Sequence, residues 1–398
     1  MNNDSVVITD VRYRMSLPII RSLGKKGIRV TAAEKVSTPS ASALGFYSKY
    51  TADRLSLSDS EKNEKIFITD LVNYASNVDS KPVLIPVGIH SLMAVSRNIE
   101  VLSSSYDFIV PNTECIDIAN DTYRLLGIAE KSGIPIPETT TLNPNESITE
   151  LSARIKYPAV VKYRQGELLK LGPEKRYRIV NDTDAFVEAF TYMHGIQEFP
   201  LVQEYIKGNG FGVSAIFDKD SNPTTVFCHM RLREYPVTGG PSCFCESIWD
   251  KRLVDYAVTL LKELKWTGVA MVEFKGELNG KLALMEINPR IWGSFPLTTA
   301  AGADFPMYIY NAAKGMTEDF SDDKALEPNY KIGKKMRFIL QDLMSFKGYF
   351  ARSSNKPAFL FSYIIDLLNP FVAEGVFDIS DLKSSIQYFR QAFRKYNG

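Results

Sequence analysis

The chain has 398 residues, 47 Lys+Arg against 46 Asp+Glu, and a formal net charge of +1, so it lacks the basic footprint of a nucleic-acid binder. With 45% hydrophobic and 23% charged residues it is not a disordered chain, and at roughly 100–200 residues per domain it has room for two to four lobes. The start, Met1-Asn2-Asn3-Asp4, has no basic signal region, no apolar run reaches the roughly 18 residues of a membrane span, and four scattered cysteines fit a reducing cytoplasm better than a disulfide framework.

Residues 5–9 read as a strand, 16–26 as a helix ended by Gly27, and 28–33 as a second strand. A helix over 59–77, the run 82–87 and a short strand at 107–110 complete an alternation that predicts βαβ units and a parallel sheet. No glycine occurs in Asp10-Val11-Arg12-Tyr13-Arg14-Met15-Ser16, which excludes a dinucleotide fingerprint after the first strand. A helical pattern over 113–133 ends at Gly133-Ile134-Pro135. Next come a helix at 146–155, strands at 158–163 and 176–180, and a helix from Asp182 or Asp184 to Gly195, together a small α+β lobe. Strands at 201–206, 212–217 and 224–234 and an amphipathic helix over 250–266 follow. Beyond residue 316, segments 331–345, 357–368 and 382–395 read as helices; the last is basic, and its charges are expected to face solvent rather than a membrane.

The chemistry concentrates in residues 268–290. Two apolar runs flank Asn279-Gly280, the strongest short hairpin signal. A two-residue turn there sets Glu273 opposite Glu286 and Met271 opposite Asn288, with Val272, Phe274, Ala283, Met285 and Ile287 on the reverse, core face. Opposed carboxylates repel unless a cation lies between them, and Glu, Glu and Asn offer the hard oxygens that suit Mg²⁺ shared with phosphates. On spacing alone a solvated face, or a bulge that slips the register, remains an equal reading.

The strings Val272-Glu273-Phe274 and Leu284-Met285-Glu286-Ile287-Asn288-Pro289-Arg290 resemble the metal-binding hairpin of the ATP-grasp superfamily. The match extends over roughly residues 5–315, and the segment 231–242 is similar to a bacterial group of ATP-dependent carboligases. The resemblance implies four regions: a pre-grasp α/β domain at 1–112, a small grasp lobe at 113–200, a large lobe at 201–318 carrying the hairpin, and a helical region at 319–398. It implies that ATP phosphates lie on Lys162 of Tyr157-Pro158-Ala159-Val160-Val161-Lys162, and that adenine is read at Glu204, Tyr205 and Ile206. Mg²⁺, or Mn²⁺ in its place, would sit on Glu273, Glu286 and Asn288. The usual Asp-Lys pair is Asp121-Thr122 here, with Arg124 as the stand-in, and in place of a Gly-rich lid the segment 164–176 offers Lys170, Lys175 and Arg176.

The implied activity is an ATP-dependent ligase that converts a small carboxylic acid to an acylphosphate and couples it to an amine. Arg231, Arg233 and Arg290 would hold the anion, with Arg231 and Arg233 expected on one strand face. The alternatives are a bicarbonate-activating carboxylase or carbamoyl-phosphate-type enzyme, and a nucleotide-binding module without turnover. Neither a Gly-rich lid nor a Met-Lys-Met carrier site supports biotin-dependent carboxylation. A homo-oligomer is compatible with the sequence but not required by it.

Overall fold

β1 (Ser5–Ile8), β2 (Arg29–Lys35), β3 (Thr51–Leu57) and β4 (Val83–Ile85) form a parallel sheet in the order β3-β2-β1-β4. The coordinates are a computed structural model that describes residues 4–169, 171–172, 175–316 and 326–397. Val6 and Ile8 enter one core cluster and Val7 another, as expected of a parallel strand covered on both faces. β3 escaped the sequence reading because its exposed and half-buried residues, Thr51-Ala52-Asp53-Arg54, lack an apolar run. Residues 107–110 contribute only an isolated bridge, Val83 to Asp107.

The second sheet is antiparallel: β5 (Thr139–Thr140), β6 (Ala159–Lys162), β7 (Tyr177–Val180) and β8 (Leu201–Glu204), ordered β5-β8-β6-β7. Val161, Val180 and Val202 pack against Phe186 and Phe190 of the helix Thr183–His194, whose first turn is capped by Asp182 donating no proton but accepting from Ala185 N at 2.9 Å. β8 completes this sheet, pairing with β5 and β6 through residues up to Glu204.

The third sheet has seven strands: β9 (Asn209–Phe217), β10 (Pro223–Glu234), β11 (Ser242–Ile248), β12 (Gly268–Gly276), β13 (Leu282–Asn288), β14 (Lys335–Arg337) and β15 (Ala373–Glu374), in the order β13-β12-β9-β10-β11-β14-β15. One face buries Val213, Val272 and Leu284 under the helix Lys251–Glu263. The other shares a core with the first lobe, where Phe227 and Met271 join Trp292, Phe295, Leu17 and Ile20. The region 319–398 is therefore not purely helical. The expected helix over 331–345 is replaced by β14 and a helix at Ile339–Arg352, because Met336 and Phe338 bury alternate positions of an extended segment. The helix Leu382–Asn397 lies against the first lobe; just before it, the buried Arg21 pairs with Asp381 at 2.9 Å and donates to Ser384 at 2.8 Å. All four cysteines are buried and unpaired. Among the described residues no helix is long and apolar enough to cross a membrane.

Candidate active site

The hairpin β12–β13 sets Glu273 opposite Glu286 and Met271 opposite Asn288, by a different route from the one expected. Strand pairing ends at Gly276 and Leu282, and the backbone of Glu277 bonds to Lys281 O at 3.0 Å, so the loop is longer than a two-residue turn. A bulge between the Glu273 and Phe274 pairs then restores the register at the site. The core face changes accordingly. Leu282 and Leu284 join Val272, Phe274 and Ile287 there, in place of the expected Ala283 and Met285; Met285 is only half-buried.

Glu273 is nearly buried and Glu286 exposed, and Asn288 Nδ2 donates to Glu273 Oε1 at 2.8 Å. Arg231 on β10 reaches Glu273 across β9 and also lies 3.4 Å from Glu234. Burial raises the Glu273 carboxyl above its usual range; Arg231 opposes that shift, whereas Glu286 and Glu234 add to it. Arg231 itself is held positive: burial disfavours its charge, but Glu273, Glu234 and Glu286 outweigh burial.

Two glycines on β9 make this reach possible. Gly212 pairs with both Glu273 and His229, and a Cβ there would lie 2.9 Å from His229 Nδ1 and 3.0 Å from Met271 Sδ. At Gly210 a Cβ would sit 3.0 Å from Arg231 Cδ. Side chains from β10 therefore cross a bare strip of β9 toward the hairpin carboxylates. His229, buried beneath the site, lies with Nε2 3.0 Å from Ser294 Oγ. Burial, then Arg231, drives its pKa down to about 3, so the imidazole is neutral. The Gly-x-Gly spacing at 210–212 was the sequence signal for this strip.

Lys162 ends β6, half-buried and facing the carboxylates. Burial lowers its pKa, and the fields of Glu286 and Glu273 oppose that effect. Glu204 ends β8: its Oε2 accepts from Glu138 N at 3.0 Å and its carboxylate pairs with Lys281 in the hairpin loop. Tyr205 has the Lys275 ammonium 5.9 Å from its ring centroid, and Ile206 is buried. These contacts tie the small lobe to the hairpin where the two sheets meet.

The segment between β6 and β7 carries a residue that sequence reasoning missed. Glu167 holds Arg290 at 2.8 Å and also pairs with Arg176. Burial would raise the Glu167 carboxyl, but Arg290 and Arg176 together keep it below the usual range. Arg176 further donates to Leu171 O at 3.1 Å, folding the segment on itself. At its base, Arg164 holds Asp121 at 2.7 Å, while Arg124 on the helix Thr122–Lys131 is exposed. Lys170 lies outside the described residues.

Arg233 does not share the face of Arg231. A register shift between them turns Arg233 into a buried site where it pairs with Asp342 at 2.6 Å and Asp366 at 3.1 Å. Simple alternation fails at bulges, and the bulge had no signature in the sequence.

The donor set fits a hard divalent cation. Glu273 and Glu286 are cross-strand partners with the Asn288 amide against Glu273, and the repulsion that Glu286 and Glu234 exert on Glu273 is what such an ion relieves. Among the described residues no group of three or more His, Cys, Asp or Glu is placed to hold a metal. A set this small suits Mg²⁺ that retains water or phosphate ligands rather than a closed protein cage.

Comparisons with known proteins agree with this architecture. A family described as ATP-grasp in the biosynthetic pathway with Ter operon matches residues 198–334. A biotin carboxylase of Nostoc sp. is 22% identical over 371 residues, covering 83% of this chain and 75% of that protein. A pyruvate carboxylase of Schizosaccharomyces pombe is 24% identical over 233 residues, covering 55% of this chain, which spans only 19% of that protein. Among solved structures, the biotin carboxylase of Campylobacter jejuni superposes with a TM-score of 0.63 at 16% identity, covering 83% of this chain and 74% of that one. The L-amino acid ligase of Bacillus licheniformis gives 0.60 at 14% identity, covering 82% and 78%. With a parallel-sheet lobe, a small antiparallel lobe and a large sheet whose hairpin opposes two glutamates, the chain shares the fold of these structures, and its residues 198–334 match an ATP-grasp family.

Proposed function

We propose that the protein is an ATP-dependent ligase of the cytoplasm that activates a small carboxylic acid as an acylphosphate and couples it to an amine, releasing ADP and phosphate. The observation that carries this reading is the meeting of Lys162, Glu273, Glu286 and Asn288 beside Arg231, where two lobes converge. Phosphoryl transfer needs positioning and charge stabilisation more than a protein nucleophile, and this set supplies both.

Glu273, Glu286 and Asn288 would hold Mg²⁺, with Mn²⁺ a substitute. When bound, the ion would supply positive charge that offsets the charge of the phosphates. Lys162 pairs with the same phosphates, and the junction at Glu204, Tyr205 and Ile206 receives the adenine. Arg290 and Arg231 hold the carboxylate and its phosphorylated form, since a guanidinium fork matches either anion. Glu167 must leave Arg290 for that contact to form. The test is ADP release with ATP and Mg²⁺ against panels of carboxylic acids, each with and without amines. Release that needs both an acid and an amine supports the ligase. Release driven by bicarbonate alone replaces it with a carboxylase-type reaction, and nucleotide binding without release replaces it with a sensor.

A further inference from the structure

The helix Lys356–Leu368 is bound firmly along one side and bare along the other. On its inner side Tyr363 donates to Asp342 O at 3.1 Å, Asp366 pairs with Arg233 and Lys335, and Phe359 packs on Phe346 and Phe350. On its outer side Leu360, Phe361, Ile364, Ile365 and Leu368 are 41–74% exposed, and Phe371 just beyond the helix is 81% exposed. At 3.6 residues per turn the five helical positions span an arc of about 140°, a continuous apolar stripe rather than scattered side chains. A surface stripe of this size marks an interaction site.

The charges around the stripe say what covers it. Between residues 345 and 371 the basic residues are Lys347, Arg352 and Lys356, and the single acid is Asp366. All three basic residues are exposed, whereas Asp366 is turned inward to its two cationic partners. At the opposite end, Lys334 Nζ reaches Phe371 O at 2.7 Å. The stripe is therefore flanked by cations at both ends, with no outward acid between them. A second copy seated by a two-fold axis would set cations against cations, because such an interface is self-complementary. An apolar stripe with a basic border is instead the pattern of a helix lying in the headgroup region of an anionic bilayer.

We propose that the outer face of the Lys356–Leu368 helix docks the protein on anionic membrane surfaces. This departs from the sequence expectation of no membrane contact, which considered the basic helix at 382–395; periodicity shows which residues are apolar, not which face the fold leaves uncovered. Docking would place Arg233 and its acidic partners directly beneath the lipid-facing helix, two residues from Arg231.

The test is co-sedimentation of the full chain with phosphatidylcholine vesicles, with and without phosphatidylglycerol, alongside sedimentation velocity of the free protein. Anionic vesicles should retain at least tenfold more protein than neutral ones, and raised salt should reduce that retention. Phe361→Asp/Leu368→Asp should abolish it and Lys347→Glu/Lys356→Glu should weaken it, with circular dichroism unchanged because these side chains are exposed. Absence of binding to anionic vesicles overturns the proposal. So does equal binding to neutral vesicles, or a concentration-dependent dimer that Phe361→Asp/Leu368→Asp dissociates while wild-type protein ignores vesicles.

Discussion

Arg231 crosses the bare backbone of Gly210 to pair with Glu273, two strands away in the same sheet. This contact couples the proposed anion-holding residue to a proposed metal ligand, so neither is independent of the other. Arg231→Met should lower kcat and kcat/KM together by at least about a hundredfold, the scale of losing a preorganised donor at a charge-bearing transition state. Arg231→Lys keeps the charge without the fork and should recover part of the loss. Steady-state ADP release measures both; an unchanged kcat in the Met variant removes Arg231 from the reaction.

Glu286 is exposed, and its replacement disturbs no packing. Glu286→Gln should cut Mg²⁺-dependent ATP consumption at least about a hundredfold, while stability stays within about 0.5 kcal/mol of wild type. Urea unfolding and a Mg²⁺ titration of turnover check the two halves separately. Near-normal turnover would place the metal elsewhere.

The glycine strip yields a graded expectation. A methyl group at Gly212 must displace the His229 ring, which is enclosed, whereas one at Gly210 meets the flexible Cδ of Arg231. Gly212→Ala should destabilise the protein by about 1–3 kcal/mol and Gly210→Ala by less. Equal midpoints in urea for both variants would count against the clearance argument.

Glu167 joins the segment between β6 and β7 to the large lobe through Arg290. Glu167→Gln should weaken that link, so amide exchange across residues 164–169 should quicken in the nucleotide-free protein. A non-hydrolysable ATP analogue with Mg²⁺ should slow the same amides in wild type as the segment covers the phosphates. Mass-spectrometric hydrogen exchange reports both, and identical exchange in the variant and wild type would dissociate Glu167 from the motion.

Asp378 and Asp381 fasten the region before the last helix to the first lobe. Burial raises both carboxyls, yet hydrogen bonds outweigh it: Ser380 and Lys25 bring Asp378 down to about 2, and Ser384, Lys49 N and Arg21 lower Asp381. Their folded pKa values lie below the ordinary aspartate value of about 3.9. The stability they contribute is therefore complete above that value and is lost as pH falls toward about 2. Asp381→Asn leaves the buried Arg21 without its partner and should cost roughly 3–5 kcal/mol at neutral pH. It should also flatten the acid limb of a plot of stability against pH.

The central pairing of the site was legible because Asn279-Gly280 and the flanking alternation point to a two-residue turn, which sets Glu273 opposite Glu286. It was right partly through cancellation, since a longer loop and a compensating bulge return the same opposition. The residues lost to sequence reasoning share one cause, dependence on contacts distant in the chain. Arg233 was misplaced by a bulge, and Glu167 matters only because Arg290 comes to it from 123 positions away. The strand at 335–337 hid within a helical pattern because an edge strand of three residues holds little periodicity of its own.

The order of strands in the large sheet also bears on how the protein is made. β11 gains its outer neighbour β14, itself flanked by β15, from residues 335–374, far downstream of the hairpin that holds the carboxylates. While a ribosome is still delivering that stretch, β11 presents an unpaired edge of the kind that invites association between nascent chains. At roughly 5–20 residues per second the exposure lasts several seconds per molecule. The chain is thus open to aggregation after its β12–β13 hairpin has already been synthesised, and a shortage of chaperones should be felt in that interval.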